Sequence, residues 1–208
     1  MTVVGIVPAG GSGERLGADR PKAFAVCAGR PMVEWSLDAL RPACARIVVA
    51  APPGLEQPPD RVTGGASRSA SVRNALAAAP EATVVVVHDA ARPLVTPDLV
   101  QRCIDSLSDV DGVIAAIPVT DTVHVTSSDL LIRETPERSS LWAAQTPQVF
   151  RADALRRAYD SNREATDEAS LVAAVGGRVR LIEGSPENIK VTTATDMRLA
   201  EALLRERC

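Results

Sequence analysis

The sequence has no apolar run long enough to cross a membrane, and it shows no signal peptide. Its longest uncharged apolar stretches are the size of single β-strands, whereas a transmembrane helix needs about 20 apolar residues. The segment Met1–Gly5 carries no basic side chain ahead of an apolar stretch, as a secretory signal peptide would. Together these absences predict a cytoplasmic protein that does not bind membranes.

Cysteines are few, and excess positive charge is absent. The four cysteines, Cys27, Cys44, Cys103 and Cys208, are scattered without a C-x-x-C spacing, which argues against a zinc site and suits reduced thiols. The formal net charge is −3 at pH 7. We therefore expect no general nucleic-acid binding, because such binding depends on basic side chains that neutralise phosphates.

Lysine is the scarcest charged residue. Of the 23 basic residues only Lys22 and Lys190 are lysines, and all the others are arginines. The rest of the composition is ordinary, since 46% of the residues are hydrophobic and 24% are charged, a balance that excludes an intrinsically disordered chain. A length of 208 residues fits a single domain spanning residues 1–208.

Apolar β-branched segments alternate with helical patterns along the chain. This alternation predicts an α/β fold, a single Rossmann-like domain with a mostly parallel central sheet and crossover helices. The predicted strands are Val3–Val7, Ile47–Ala51, Thr83–His88, Gly112–Pro118, Val179–Ile182 and a short one near Ile189–Thr192. The predicted helices are Pro31–Leu40, Ser67–Ala79, Pro97–Leu107, Ala152–Asp160, Asp167–Val175 and a C-terminal helix after Thr195, with Thr96 and Thr166 as N-caps.

The segment Val119–Arg133 interrupts this alternation and predicts a β-hairpin. Apolar and polar residues alternate around His124, a polar turn follows at 127–129, and Leu130–Arg133 forms the second strand. A hairpin with apolar faces that projects from a domain usually packs on something, and the commonest partner is a second copy of the chain. We therefore predict that residues 119–142 form a projecting arm for a homodimer.

A glycine-rich loop follows the first predicted strand, and it is the strongest local motif. It reads Ala9-Gly10-Gly11-Ser12-Gly13-Glu14-Arg15-Leu16-Gly17, followed by Arg20-Pro21-Lys22. Such a loop places backbone N–H groups where a phosphate chain can approach closely. A P-loop would need a Gly-Lys pair, and a dinucleotide fingerprint would need a third glycine where Leu16 stands, so neither motif is present. A phosphate site with Arg15 and Lys22 as its cations is one interpretation, and a structural turn with solvated charges is the other.

The loop and several later blocks resemble one known family. The loop resembles the signature of nucleotidyltransferases that activate a sugar or alcohol phosphate. The later blocks resemble the 2-C-methyl-D-erythritol 4-phosphate cytidylyltransferase family of the non-mevalonate isoprenoid pathway, and they occur in the family's order from Val3 to the last helix. These blocks are Gly64-Gly65 with Arg68, His88-Asp89-Ala90-Ala91-Arg92-Pro93, Asp121-Thr122, Gln145-Thr146-Pro147-Gln148, Thr166-Asp167-Glu168-Ala169-Ser170 and Asn188-Ile189-Lys190-Val191-Thr192.

The resemblance implies transfer of CMP from CTP to the acceptor 2-C-methyl-D-erythritol 4-phosphate, with release of pyrophosphate. It implies Mg²⁺ bound mainly through the CTP phosphates, with Asp89 facing the metal or the sugar. Arg15 and Lys22 would be the cations at the α-phosphate. The implied nucleotide-binding residues are Ala9, Gly10, Gly11, Gly13, Gly65, Ser71 and Asp89.

The resemblance also implies an acceptor site shared between two subunits. Thr122 and Arg138 would reach into the partner's site, and Arg138 and Lys190 would join Arg15 and Lys22 as catalytic residues. The acceptor-binding residues that the resemblance implies are Thr122, Arg138 and Lys190. By position, Arg92, just past a strand end, can face the same cleft, and Thr146, which precedes a proline, either contacts the acceptor or belongs to a purely structural turn. Two positions depart from the family pattern, because Gly10 replaces a common alanine and Ala66 replaces a frequent acidic residue.

Two alternative functions stay open at this point. The chain could transfer CMP to another polyol phosphate such as ribitol 5-phosphate, or it could be a non-catalytic CTP-binding regulator. We interpret His88 as a packed residue at a strand end, because a phosphate nucleophile is already ionised near pH 7 and needs no general base. We interpret Asp167 and Glu168 as ordinary acids in the first turn of a helix.

Overall fold

The computed structural model of the chain describes residues 1–11, 21–54, 60–161, 163 and 165–207. Its strands are β1 (Val3–Pro8), β2 (Val26–Cys27), β3 (Arg30–Pro31), β4 (Arg46–Ala51), β5 (Arg61–Thr63), β6 (Val84–Val87), β7 (Gly112–Pro118), β8 (Val125–Thr126), β9 (Ile132–Glu134), β10 (Trp142–Arg151) and β11 (Val179–Glu183). Its α-helices are α1 (Met32–Leu40), α2 (Arg68–Ala77), α3 (Pro97–Asp105), α4 (Ala152–Asp160), α5 (Glu168–Ala174) and α6 (Ala194–Arg207).

A mostly parallel sheet runs through the centre of the described residues. Its seven strands lie in the order β11-β7-β10-β6-β1-β4-β5. β1 pairs in parallel with both β6 and β4, and β11 pairs in parallel with β7. Strands that are covered on both faces read as continuous apolar runs, and β6 is four consecutive buried valines, Val84–Val87. The predicted α/β fold with a mostly parallel sheet is confirmed.

Helices cover both faces of this sheet. Successive side chains of a strand point to opposite faces, and β1 follows this rule. Val3 and Val7 pack with α1 and α3, whereas Val4 and Ile6 pack with α2, α4 and α5. Burying each such aliphatic side chain stabilises the fold by about 1.5–3 kcal/mol. The two apolar layers hold the ends of the strands in fixed positions.

Strand β10 is absent from the sequence-based prediction. It lies between β6 and β7 and is antiparallel to both. The polar segment Gln145–Gln148 interrupts its apolar pattern, and its register with β7 shifts between Ala144 and Gln148. The short strand β5 was not predicted either. The predicted strand near Ile189–Thr192 is wrong, because these described residues have no strand conformation, and the Val191 N–H donates instead to the Ala91 carbonyl at 2.8 Å.

The predicted hairpin forms between β8 and β9, which pair antiparallel. Its strands are shorter than predicted, and its turn contains Leu130 at a φ of 64°. Leu130, Leu131 and Ile132 are 79%, 66% and 62% exposed, respectively. We call these three side chains the apolar hairpin surface. Among the described residues they are the most exposed large hydrophobic side chains after the terminal Met1.

Of the two predicted threonine N-caps, one is confirmed. Thr96 caps α3 by accepting a hydrogen bond from the Leu99 N–H at 3.2 Å. The predicted cap Thr166 is wrong, because Asp167 caps α5 by accepting from the Ser170 N–H at 2.9 Å. Asp accepts at this position as well as Thr does, so the helix begins one residue later. No helix within the described ranges is long and apolar enough to span a membrane.

Candidate active site

A cavity of about 460 Å³ opens where β1 and β6 end and α2 begins. Ligands of open α/β sheets collect at this carboxyl edge of the strands. The residues that line the cavity are Pro8, Ala9, Gly10, Gly11, Lys22, Ala23, Gly65, Ala66, Ser67, Arg68, Ser71, Asp89, Ala90, Ala91 and Lys190. Most of the residues predicted to bind the nucleotide therefore lie around one space, and both lysines of the chain are among them.

Other predicted site residues lie elsewhere. Thr122 and Arg138 are exposed near the hairpin and do not line the cavity of their own chain. Arg92 and Thr146 are buried behind the cavity. Gly13 and Arg15 lie outside the described residues, so their predicted roles stay predictions.

The two walls of the cavity are held by short backbone contacts. The Lys22 N–H donates to the Gly11 carbonyl at 3.0 Å, which holds Lys22 beside the first part of the glycine-rich loop. On the opposite wall, the Gly65 N–H donates to Ser71 Oγ at 3.0 Å, and that hydroxyl donates to the Ser67 carbonyl at 2.9 Å. A Cβ at Gly65 would lie 2.4 Å from the Ala70 Cβ, so only glycine fits there.

Among the described residues that line the cavity, Asp89 is the only carboxylate, and two cations flank it. Arg68 Nε lies 2.8 Å from its Oδ1, and Lys190 Nζ lies 2.7 Å from its Oδ2. Burial raises the pKa of Asp89, but the charges of Arg68 and Lys190 outweigh burial and hold this pKa below its ordinary range. Asp89 is therefore ionised at neutral pH, and each of its oxygens keeps a second lone pair for another partner.

Sequence reasoning missed a buried ion pair behind Asp89. Arg68 Nη1 lies 2.8 Å from both carboxylate oxygens of Glu168, and the Tyr159 hydroxyl donates to Glu168 Oε1 at 3.0 Å. Glu168 is 1% exposed. Glu168 does stand in the first turn of its helix, as predicted, but the sequence interpretation did not include its burial or its ion pair with Arg68. The sequence held one sign of this pair: Glu168 and Arg68 each belong to a block that resembles the family.

A chain of hydrogen bonds fixes the backbone on the other side of Asp89. The Asp89 N–H donates to Thr146 Oγ1 at 3.0 Å, and this hydroxyl lies 3.0 Å from His88 Nδ1. His88 Nε2 lies 3.2 Å from the Arg92 carbonyl, which can only accept, so we assign the proton to Nε2. Burial lowers the pKa of His88 from its ordinary value of 6.5 to about 4. His88 is thus a neutral packed residue, as predicted.

Arg92 braces two segments rather than facing the cavity. Its Nη1 donates to the Asn188 carbonyl at 2.6 Å, and its Nη2 donates to the Ala144 carbonyl at 3.3 Å. The side chain of Asn188 in turn donates to the Thr146 carbonyl at 2.8 Å. Because Lys190 follows Asn188 by two residues, these bonds set where Lys190 enters the cavity.

Within the described residues, no cluster of three or more His, Cys, Asp or Glu side chains could hold a metal ion. A cation in the cavity would therefore meet one carboxylate of the described lining, Asp89, and would take other ligands from a bound molecule or from water. Mg²⁺ is commonly bound in this way, through one or two carboxylates, substrate phosphates and waters. The donor set fits such an ion.

Comparison with known proteins agrees with this arrangement. Residues 3–206 match the family model of 2-C-methyl-D-erythritol 4-phosphate cytidylyltransferase. The chain is 45% identical to the protein of that name from Rhodococcus jostii, across 98% of this chain and 96% of the relative. It is 40% identical to the one from Thermosynechococcus vestitus, across 97% and 95%. The crystal structure of the Thermus thermophilus protein of that name superposes with a TM-score of 0.85 at 38% identity, covering 99% of this chain and all of that one.

Proposed function

The chain belongs to the 2-C-methyl-D-erythritol 4-phosphate cytidylyltransferase family, and we propose that its cavity is the active site, completed by the hairpin of a second copy. The enzyme transfers CMP from CTP to 2-C-methyl-D-erythritol 4-phosphate in isoprenoid precursor biosynthesis. The observation that carries the site proposal is that Lys22, Lys190 and Asp89 line one cavity with Ala9–Gly11 and the start of α2.

The reaction needs charge neutralisation more than it needs proton transfer. An oxygen of the acceptor phosphate attacks the α-phosphorus of CTP, and the bond to the bridging oxygen breaks as pyrophosphate leaves with the electron pair. The nucleophile is already ionised at neutral pH. His88, which precedes Asp89, agrees with this. Its ring is buried and hydrogen-bonded on both nitrogens, so it is not placed to act as a general base.

Lys22 is the cation that we assign to the α-phosphate, together with Arg15. Negative charge builds on this group as a fifth oxygen approaches, so a fixed cation there stabilises the transition state more than the ground state. The backbone bond from Lys22 to Gly11 supports this role, because it keeps Lys22 next to Gly11, which also lines the cavity. The N-terminus of α2 adds a partial positive charge on the facing wall.

The opposite wall is the proposed cytosine site. Gly65, which only glycine can occupy without a clash, and Ser71 lie there with their backbone and hydroxyl groups already ordered. Ala66 brings no acidic side chain to this wall, so base recognition would depend on main-chain groups. These contacts support the nucleotide-binding roles of Ala9, Gly10, Gly11, Gly65 and Ser71.

Mg²⁺ is the proposed cofactor, held by the triphosphate and by Asp89. When bound, it supplies positive charge to the phosphate oxygens. Asp89 offers the lone pairs that Arg68 and Lys190 leave free. Lys190 lines the cavity and pairs with Asp89, and its side chain is 43% exposed, so we assign it to the acceptor phosphate.

The remaining acceptor contacts are proposed to come from a second copy. Thr122 and Arg138 are exposed beside the hairpin, and the apolar hairpin surface next to them is suited to packing on a partner. Arg92 and Thr146 would act indirectly, because their polar groups bond within the domain and brace Lys190 and Asp89. A homodimer with two composite sites follows from this arrangement.

The test is an acceptor panel with the purified protein, CTP and Mg²⁺. Pyrophosphate release should occur with 2-C-methyl-D-erythritol 4-phosphate and fall to background with ribitol 5-phosphate or with unphosphorylated 2-C-methyl-D-erythritol. In the same assay, Lys22→Ala should lower the rate on the order of 10²–10³-fold. Arg157→Ala, on the exposed face of α4, is the control for loss of one positive charge and should retain the wild-type rate. Release with ribitol 5-phosphate alone, or a fully active Lys22→Ala enzyme, would contradict the proposal.

A further inference from the structure

Glu168 is a buried carboxylate that no step of the proposed reaction uses. It is 1% exposed and does not line the cavity. A carboxylate in such a place is costly to bury unless a cation pairs with it. Its partner is Arg68, whose side chain does line the cavity and is 27% exposed. The cost of burying Glu168 is thus coupled to the position of a residue at the site.

The guanidinium of Arg68 connects a buried carboxylate, Glu168, with a carboxylate that lines the cavity, Asp89. Arg68 Nη1 donates to both oxygens of Glu168 at 2.8 Å, while its Nε donates to Asp89 Oδ1 at 2.8 Å. Asp89 Oδ2 then meets Lys190 Nζ at 2.7 Å. The order Glu168, Arg68, Asp89, Lys190 alternates in sign from the interior to the cavity. Each charge of this row therefore lies next to opposite charges.

The far end of this row is fixed by the fold. Glu168 is the first residue of α5, which is capped by Asp167 and packs its Leu171 and Val172 against the sheet. The Tyr159 hydroxyl, from α4, donates to Glu168 Oε1 at 3.0 Å. Burial lowers the pKa of Arg68, but the charges of Asp89 and Glu168 raise it above its ordinary value, so Arg68 stays charged. Burial raises the pKa of Glu168, and the charge and hydrogen bonds of Arg68 oppose this shift. The two 2.8 Å contacts from Arg68 Nη1 are those of an ionised carboxylate.

We propose that Glu168 is a positioning residue for cytidylyl transfer: it holds Arg68 so that Nε faces Asp89, and it thereby fixes the Asp89 carboxylate beside Lys190. Without the negative charge of Glu168, Arg68 would be drawn toward the phosphates in the cavity and would release Asp89 Oδ1. This inference rests on the proposed function of the cavity, since Asp89 and Lys190 act there.

The first test compares Glu168→Gln with Leu171→Val. Both side chains are buried in α5, and Leu171→Val removes packing without touching the charged row. We expect Glu168→Gln to lower kcat about 10-fold or more at 25 °C while the KM for CTP changes less, because a small displacement of a reacting group has a large effect on rate. Leu171→Val should lower the melting temperature but keep kcat. Equal kcat in Glu168→Gln and Leu171→Val, both folded, would overturn the proposal.

The second test asks whether Glu168 acts through Asp89. In an Asp89→Asn background, measured by single turnover with excess enzyme, Glu168→Gln should have little further effect on the rate, because residues that act as a unit are not additive. A full additional loss of rate would mean that Glu168 is only structural and would overturn the proposal.

If Glu168→Gln does not fold, Tyr159→Phe replaces it, because the Tyr159 hydroxyl donates to Glu168. A lower kcat in Tyr159→Phe supports the positioning role of Glu168, and an unchanged kcat contradicts it. A wild-type enzyme that releases no pyrophosphate would instead reject the proposed function.

Discussion

At the scale of single residues, His88 shows how a group that could do catalysis is used for structure. Its two ring nitrogens bond to Thr146 and to the Arg92 carbonyl, and these bonds tie together the residues before, at and after Asp89. The neutral ring suits both bonds, whereas a protonated ring would place a donor against the Thr146 hydroxyl. Burial lowers the pKa of His88 to about 4, which keeps the ring neutral.

This pKa shift predicts a pH-dependent stability. In the unfolded chain His88 binds a proton near pH 6.5, whereas in the folded protein it does so only near pH 4, so the unfolded state binds more protons between these values. The free energy of unfolding should therefore fall as the pH drops from 6.5 toward 4, by about 1.4 kcal/mol per pH unit from this group and roughly 3 kcal/mol in all. Urea unfolding at pH 7, 5.5 and 4.5 measures it.

Two variants isolate the contribution of His88 from that of the carboxylates. His88→Gln should be less stable at pH 7 but should lose less stability on acidification than the wild type. His124→Gln is the matched control, since His124 is the other histidine and is exposed on the hairpin. An identical pH dependence in wild type and His88→Gln would refute the assignment.

The sequence predicted most of the small residues that line the cavity and both of its lysines, but it did not predict Arg68 there or how the charges pair. Lys22 and Lys190 belong to motif blocks far apart in the chain, and both line the cavity. The contact between Arg68 and Glu168 spans 100 positions, and nothing local in a helix start distinguishes a buried acid from a solvated one. Thr146 was predicted near the acceptor, whereas its hydroxyl bonds to the Asp89 N–H and lies beside His88 Nδ1.

At the scale of secondary-structure elements, apolar runs predicted the parallel strands well and β10 not at all. β1, β4, β6 and β7 are each nearly uniform in hydrophobicity, so their positions follow from sequence. In β10 the buried residues Gln145, Thr146 and Gln148 are polar, because they bond to groups around the site. A strand that serves the site in this way loses the pattern by which strands are recognised.

We propose that the hairpin makes a homodimer, and Ile132→Asp tests this proposal. Ile132 is part of the apolar hairpin surface, and burying it against a partner would stabilise the dimer. A charge at this position should shift the protein toward monomer in sedimentation velocity, and activity should then rise with protein concentration. The control is Leu199→Asp on α6, which is 48% exposed and far from the hairpin in sequence; it should leave the dimer intact. An unchanged dimer with Ile132→Asp would exclude the hairpin as the interface.

At the scale of the whole molecule, the sequence predicts one α/β domain because its pattern is consistent from end to end. Alternating residues of β1 reach opposite apolar layers, and the glycine-rich loop follows at the edge where such sheets bind ligands. The sequence alone predicts less about how two chains would assemble. Thr122 and Arg138 lie outside the cavity of their own chain, so their predicted roles require a partner.

A single experiment on mixed dimers tests whether one protomer's cavity and its partner's hairpin form one active site. Lys22→Ala and Arg138→Ala chains, each nearly inactive alone, are mixed, dissociated and reassociated, and pyrophosphate release from CTP and 2-C-methyl-D-erythritol 4-phosphate is measured. In a mixed dimer, the Arg138→Ala chain supplies an intact cavity and the Lys22→Ala chain supplies an intact hairpin. Random reassociation should therefore restore about a quarter of the wild-type activity. Activity that stays at the level of the separate variants, in preparations shown to contain mixed dimers, would contradict the shared site.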